Sequence, residues 1–205
     1  MPARRPRILL LNASLAGETG NTAVLLAHAR RLLGRRATVT SVTLASTPAG
    51  DADNTSDFAS LRPQLAAADA FLFGTGTHWD SWSSVLQKFL EDATPAEGTA
   101  LWLGKPAAVV VSEHSVGGKG VLSRLQGVLV TLGCTLPPMS GLVLSRAAVL
   151  ATHHDPDAAR DFWCADDLRV VCHNLVEAIA GTRRWKTWPV DREGFNDRWL
   201  KTPSP

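Results

Sequence analysis

Arg7-Ile-Leu-Leu-Leu-Asn12, then Ala13-Ser-Leu-Ala-Gly-Glu-Thr-Gly20, then Asn21-Thr-Ala-Val-Leu-Leu26 is the stretch on which the fold turns. The first piece is strand-sized and carries no polar side chain between Ile8 and Leu11, so it reads as a strand covered on both faces. The second is small, hydroxylated and rich in glycine, which marks a turn. In the third, Val24, Leu25, His28, Leu32 and Leu33 recur at helical spacing before Gly34, and Asn21 or Thr22 can cap the start. A buried strand, a short turn and an amphipathic helix make the opening of a parallel strand-helix-strand unit.

The same alternation continues outward. Ala37–Thr43 suits a second strand, and the Pro/Gly/Asp-rich stretch Thr47–Thr55 a loop. Phe58–Ala67 reads as a helix despite Pro63, Ala70–Gly74 as a third strand, and Ser83–Asp92 as a helix with Val85, Leu86, Phe89 and Leu90 on one face. Lys105–Ser112 is a fourth strand whose centre, Ala107–Val111, is wholly apolar. Val121–Leu132 is a helix stopped by Gly133. Thr135–Leu144 supplies a fifth strand interrupted by Pro137 and Pro138, and Asp157–Ile179 a long last helix stopped by Gly181. Strand and helix in strict alternation predict an α/β fold, a three-layer, doubly wound, parallel five-stranded sheet of flavodoxin-like order 2-1-3-4-5.

At 205 residues this is one domain, expected over 1–182. The remainder, 183–205, sets Trp185, Trp188, Phe195 and Trp199 among Arg and Lys, and is read as an arm packed on its own or a neighbouring subunit. Apolar residues make up 45% and charged residues 20%, which excludes a disordered chain or a membrane protein as the expectation. The longest apolar runs are too short to span a bilayer, and the run behind Arg4, Arg5 and Arg7 is too short for a secretory signal, so the cytoplasm is expected. Cys134, Cys164 and Cys172 match no zinc or redox spacing and read as reduced thiols, with no metal expected. A net charge of +2 is too small to suggest nucleic acid, which leaves a small molecule as the partner.

In a doubly wound sheet, ligands sit beyond the carboxyl ends of the strands where the strand order reverses. Three loops meet there. The first, Ser14 to Thr22, combines Gly20 with the hydroxyls of Ser14, Thr19 and Thr22 at a helix N-terminus, a composition suited to a terminal phosphate; without a ligand it is a turn with a capped helix. It lacks the Gly-Lys-Ser/Thr of a triphosphate loop and the glycines of a dinucleotide fingerprint. The second, Thr75-Gly-Thr-His-Trp-Asp-Ser-Trp-Ser83, sets Trp79 and Trp82 beside small residues, which suits either the flanks of a flat ring or anchoring in a core or interface. The third, Ser112-Glu-His-Ser-Val-Gly-Gly118, has two glycines that allow close backbone approach.

At these residues the chain resembles the NAD(P)H-dependent FMN reductase and flavodoxin-like quinone reductase superfamily, over roughly residues 7 to 180. The resemblance is carried by Ser14 to Gly20-Asn21-Thr22, by Phe73 to Ser83, and by Gly104-Lys-Pro followed by a buried strand and Gly117-Gly118. It implies that Ser14, Leu15, Thr19, Gly20, Asn21 and Thr22 surround the FMN phosphate. Thr75, Gly76, Thr77, His78 and Trp79 would border the isoalloxazine, and Ser112, Glu113, His114, Gly117 and Gly118 its pyrimidine side. The chain departs from the family in having Gly76 and His78 where a proline and a tyrosine are frequent, and Val116 where a histidine is common. The implied activity is hydride transfer from NADPH or NADH to FMN and on to a small-molecule electron acceptor: a quinone, a nitro or azo compound, or free flavin. No catalytic side chain is named, because the cofactor carries the chemistry. The other readings are a flavodoxin-type electron carrier, disfavoured by a pI of 8.6, and a non-catalytic FMN-binding module. Relatives of this kind imply a homodimer or homotetramer.

Overall fold

Strands and helices alternate along the described residues, 4–44, 57–154 and 162–179 of a computed structural model. The strands are β1 (Arg7–Ala13), β2 (Thr38–Thr43), β3 (Ala70–Gly76), β4 (Ala107–Glu113) and β5 (Gly141–Ser145). The helices are α1 (Asn21–Leu33), α2 (Asp57–Ala67), α3 (Ser84–Ala93), α4 (Gly118–Leu132), α5 (Arg146–His154) and α6 (Leu168–Glu177). All four strand pairings are parallel and the order is β2-β1-β3-β4-β5, as the sequence predicts.

The period of two along each strand divides the core into two halves. Leu9 and Leu11 of β1, Phe71 and Phe73 of β3, and Val109 and Val111 of β4 pack against α2, α3 and α4 around the buried Trp102. Their neighbours Ile8, Leu10, Ala70, Leu72, Ala108 and Val110 face α1 and α6. Each fully buried Leu, Val or Phe contributes roughly 1.5–3 kcal/mol, so the uninterrupted apolar strands read from the sequence are what two covered faces require.

Three expectations are corrected. The fifth strand is Gly141–Ser145 rather than Thr135–Leu144. Thr135 makes an isolated bridge to Pro106, after which Pro137 and Pro138, which have no amide hydrogen to donate, carry the chain out to an exposed Met139. The last helix begins at Leu168, not Asp157: Phe162–Cys164 is not helical, and the Asp167 carboxylate accepts the Cys164 amide across a single 3-10 turn. A helix unforeseen in the sequence, α5, follows β5 directly. The expected Thr47–Thr55 loop, the Gly181 stop and the Trp-rich arm lie outside the described residues.

At the end of the sheet where the strands start, Lys105 Nζ donates to the carbonyls of Leu65 (2.8 Å) and Ala66 (3.3 Å), and burial lowers its pKa. Among the described residues, no helix is long and apolar enough to cross a membrane.

Candidate functional site

The strand register alone brings three loops together at the carboxyl end of the sheet. Ala13 at the end of β1 lies beside Thr75 of β3, and Gly76 at the end of β3 lies beside Ser112 of β4.

The loop after β1 is shaped by Asn12, the polar residue that ends the buried apolar run Ile8–Leu11. Its Nδ2 donates to the Gly17 carbonyl (3.0 Å) and to Thr43 Oγ1 (3.3 Å), while its Oδ1 accepts the Ser14 amide (3.1 Å). Sequence reading places this residue at the end of a strand without assigning it to the site; its signal is a polar side chain closing a buried strand. Ser14 Oγ accepts the Ala16 amide and lies 2.2 Å from where a Cβ on Gly20 would stand, so a side chain there would have to push Ser14 out of that hydrogen bond. Thr19 Oγ1 donates to the Ala16 carbonyl at 2.8 Å, and Leu15 is exposed at the tip.

Neither Asn21 nor Thr22 caps α1, contrary to expectation. Gly20 occupies the N-cap position and brings no side chain. Its carbonyl accepts the Ala23 and Val24 amides (3.0 and 3.3 Å), which leaves the Asn21 and Thr22 amides at the helix entrance without an intrahelical acceptor. The Thr22 hydroxyl is instead 2.8 Å from that of Ser112, a direct link between the first and third loops.

The loop after β3 is braced from within. Thr75 Oγ1 accepts the Ser83 amide, Ser83 Oγ accepts the Leu86 amide to cap α3, and the Thr77 amide donates to the Ser112 carbonyl (2.9 Å). His78 and Ser81 exchange both backbone hydrogen bonds (2.8 and 2.9 Å) around Trp79 and Asp80, which both have positive φ (49° and 57°). That is the geometry of a type I′ turn, which usually selects asparagine and glycine. Here it holds Trp79 fully exposed at the tip. Trp82 turns the other way, half-buried against the α3 side of the core with Nε1 donating to Gln87, so of its two readings the structural one applies. Thr77 Oγ1 is buried without a hydrogen-bond partner.

The loop after β4 approaches closely: a Cβ on Gly117, where φ is 96°, would stand 2.1 Å from Asp80 Oδ1 and 3.4 Å from Thr77 Cγ2. The Glu113 carboxylate accepts the Gly118 amide at the start of α4 (2.5 Å). The exposed His114 turns outward, its Nε2 2.9 Å from Arg146 Nη1 on α5. Ser14, Gly20, Asn21, Thr22, Thr75, Gly76, Thr77, Ser112 and Gly117 are therefore joined through neighbouring strand ends and contacts. Leu15, Thr19 and Trp79 form the outer tips, and Glu113 and His114 direct their side chains to α4 and α5.

A cavity of about 540 Å³ opens beside this cluster, lined by Asn21, Val24, Leu25 and His28 of α1, by Ser112 and Glu113 of β4, by Leu144 of β5 and by Arg146 of α5, among others. A larger one, about 620 Å³ and lined by Asp69, Lys105 and Thr135 among others, lies at the opposite end of the strands, away from the switch in strand order where doubly wound sheets bind ligands.

Residues 6–148 match the family model described as NADPH-dependent FMN reductase. No curated protein matches in a sequence search. Among solved structures, RosB with a bound 8-demethyl-8-formylriboflavin-5'-phosphate intermediate is similar with a TM-score of 0.66 at 15% identity, covering 85% of this chain and 79% of that one. An apo NADH:FMN oxidoreductase, EMOB, gives 0.63 at 17% identity over 86% and 91% of the two chains. A flavodoxin from the domain Archaea gives 0.59 at 13% identity over 84% and 98%. At these identities the structures speak to the fold.

Proposed function

The chain belongs to the NADPH-dependent FMN reductase family, and from that premise we propose that it binds FMN at the three-loop cluster and oxidises NADPH or NADH to reduce a small-molecule acceptor. The observation that carries this is the loop from Ser14 to Thr22, folded tightly against Gly20 and leaving two amides free at a helix entrance. The residues fit the group. The Asn21 and Thr22 amides and the positive end of α1 suit a terminal phosphate. The unpartnered Thr77 hydroxyl and the glycine backbone at Gly76 and Gly117 suit the polar edge of a planar ring system.

When bound, FMN supplies the hydride chemistry, accepting two electrons from the nicotinamide and delivering them to an acceptor. The protein's part is to hold and to exclude. Thr22 and Ser112 tie the first loop to the third, so the groups that would hold the phosphate and the ring edge of FMN are joined directly. Trp79, presented on a strained turn, supplies an aromatic face at the mouth for a flat acceptor such as a quinone, nitro or azo compound, or free flavin. A homodimer or homotetramer belongs to the same reading, and a monomer by light scattering would remove that part of it.

The test is spectroscopic. Purified protein titrated with FMN should quench flavin fluorescence with one-to-one stoichiometry, and NADPH or NADH added under argon should bleach the flavin absorbance with no protein partner present. Protein that takes up no FMN would overturn the proposal, and protein that binds FMN but leaves it oxidised with both nucleotides would reduce it to a binding module.

A further inference from the structure

The 620 Å³ cavity at the opposite end of the strands has no part in the flavin reading. One wall is the connection into β5, with Leu136, Pro137 and Pro138, and another is the end of α6, with Ala178 and Ile179. Asn174 Nδ2 on α6 donates to the Pro138 carbonyl at 2.7 Å, so these two walls are tied together and the groove is preformed. Pro138 and Ala178 are exposed, which opens the groove to the surface, and the next residue after Pro138, Met139, is held 72% exposed at a φ of 55°. An apolar surface of this kind marks a contact. The charges of the lining are Asp69 and Glu177, paired with Arg4 and Arg36, and Lys105, spent on the Leu65 and Ala66 carbonyls. Among the described residues, the lining therefore holds no unpaired cation that would repel a basic segment.

We propose that this groove receives the segment that follows α6 in the same chain, with Trp185 of Arg183-Arg-Trp-Lys-Thr-Trp188 seated against Leu136, Pro138 and Ile179. The site is independent of the flavin reading, since the crevice lies at the other end of the sheet. Position argues for this occupant: Ala178 and Ile179, the last described residues before the segment, themselves line the groove, so the chain departs from its wall. The stretch from Ile179 to Trp185 spans about 20 Å when extended, more than a return to that wall requires. Gly181 admits the positive φ with which chains commonly reverse after a helix. Composition argues for it as well. Arg183 to Trp188 carries two indoles, three cations and no carboxylate, and aromatic side chains pair with proline-rich surfaces in peptide recognition. A short tether sets an effective concentration in roughly the millimolar range, so the chain's own segment fills the groove ahead of a second copy.

Limited trypsin digestion of the full chain tests this. Cleavage after Arg183, Arg184 and Lys186 is followed by mass spectrometry at several protein concentrations, each rate normalised to that of the urea-unfolded chain. The variants are Trp185→Ala, which removes the anchor, and Pro138→Arg and Ala178→Arg, which block the groove from exposed positions. Cleavage tracks the population of the undocked form, so each variant should be cut about tenfold or more faster than wild type, at rates independent of protein concentration. The proposal is overturned if wild type is cut as fast as Trp185→Ala. It is overturned equally if both groove variants are cut at the wild-type rate, which puts the segment on another surface, or if wild-type cleavage slows as protein concentration rises, which makes the occupant a second copy. Cleavage after Arg31 in α1 and Arg124 in α4 reports whether a variant keeps its fold, and should one groove variant unfold, the other and Trp185→Ala still decide.

Discussion

Gly20 shows how much one residue determines. Its φ of −79° is open to any amino acid, yet a methyl group there would stand 2.2 Å from Ser14 Oγ. Gly20→Ala should therefore cost about 1–3 kcal/mol in chemical denaturation, typical of overpacking, and weaken FMN uptake; adding Ser14→Ala should restore part of the stability. The cysteines separate by burial. Desolvation pushes the Cys134 and Cys172 thiols up to about 12 from an ordinary 9.0, Lys105 pulling Cys134 slightly back, whereas Cys164 is exposed. Alkylation of the folded protein near pH 8 should label Cys164 alone, with the other two reacting only after unfolding; mass spectrometry decides it. Between pH 9 and 12 the unfolded chain gives up these two protons and the folded one keeps them, so the thiols' contribution to stability is complete below 9 and lost as pH rises through 12. Lys105, with its lowered folded pKa, acts in the opposite sense over part of that range. Cys134→Ala and Cys172→Ala should each flatten the alkaline decline in denaturant midpoint.

At the scale of the element, the two-residue turn at Trp79-Asp80 is the clearest conflict between local preference and structure. Both residues are left-handed, where each side chain costs roughly 1–2 kcal/mol. Asp80→Gly should raise stability by about 0.5–1 kcal/mol after the extra freedom of the unfolded glycine is subtracted, visible as a small rise in Tm. If the turn is strained to present Trp79, Trp79→Ala should leave stability within about 0.5 kcal/mol and raise KM for a flat acceptor. Neither feature was legible beforehand, since Trp-Asp is not a sequence that announces such a turn. The fifth strand starts later than apolar spacing suggests for a related reason: whether Thr135–Ser140 joins the ladder depends on amides that Pro137 and Pro138 do not have.

For the molecule as a whole, the crevice is where otherwise stable halves leave polar groups unpaired, so its ligand should stabilise the fold. FMN at a hundred times its Kd should add about 2.7 kcal/mol and raise Tm, and the gain should be smaller in Gly20→Ala. The strand order and the division of the core were determined by sequence alone, because a run such as Ile8–Leu11 or Ala107–Val111 is stable only between two layers of helices, and parallel strands so covered admit few topologies. The three ligand loops were readable too, since the switch in strand order decides which loops meet. What only the tertiary structure decided is which partners the polar side chains of the loops take, from 5 to 90 positions away. Thr22 goes to Ser112 rather than to its own helix, Glu113 to α4, and His114 to Arg146 on a helix the sequence did not announce. Periodicity reports burial, which one segment carries by itself; the direction of a polar side chain depends on which partner the fold brings within 3 Å, and for Thr22 and His114 that partner lies far along the chain.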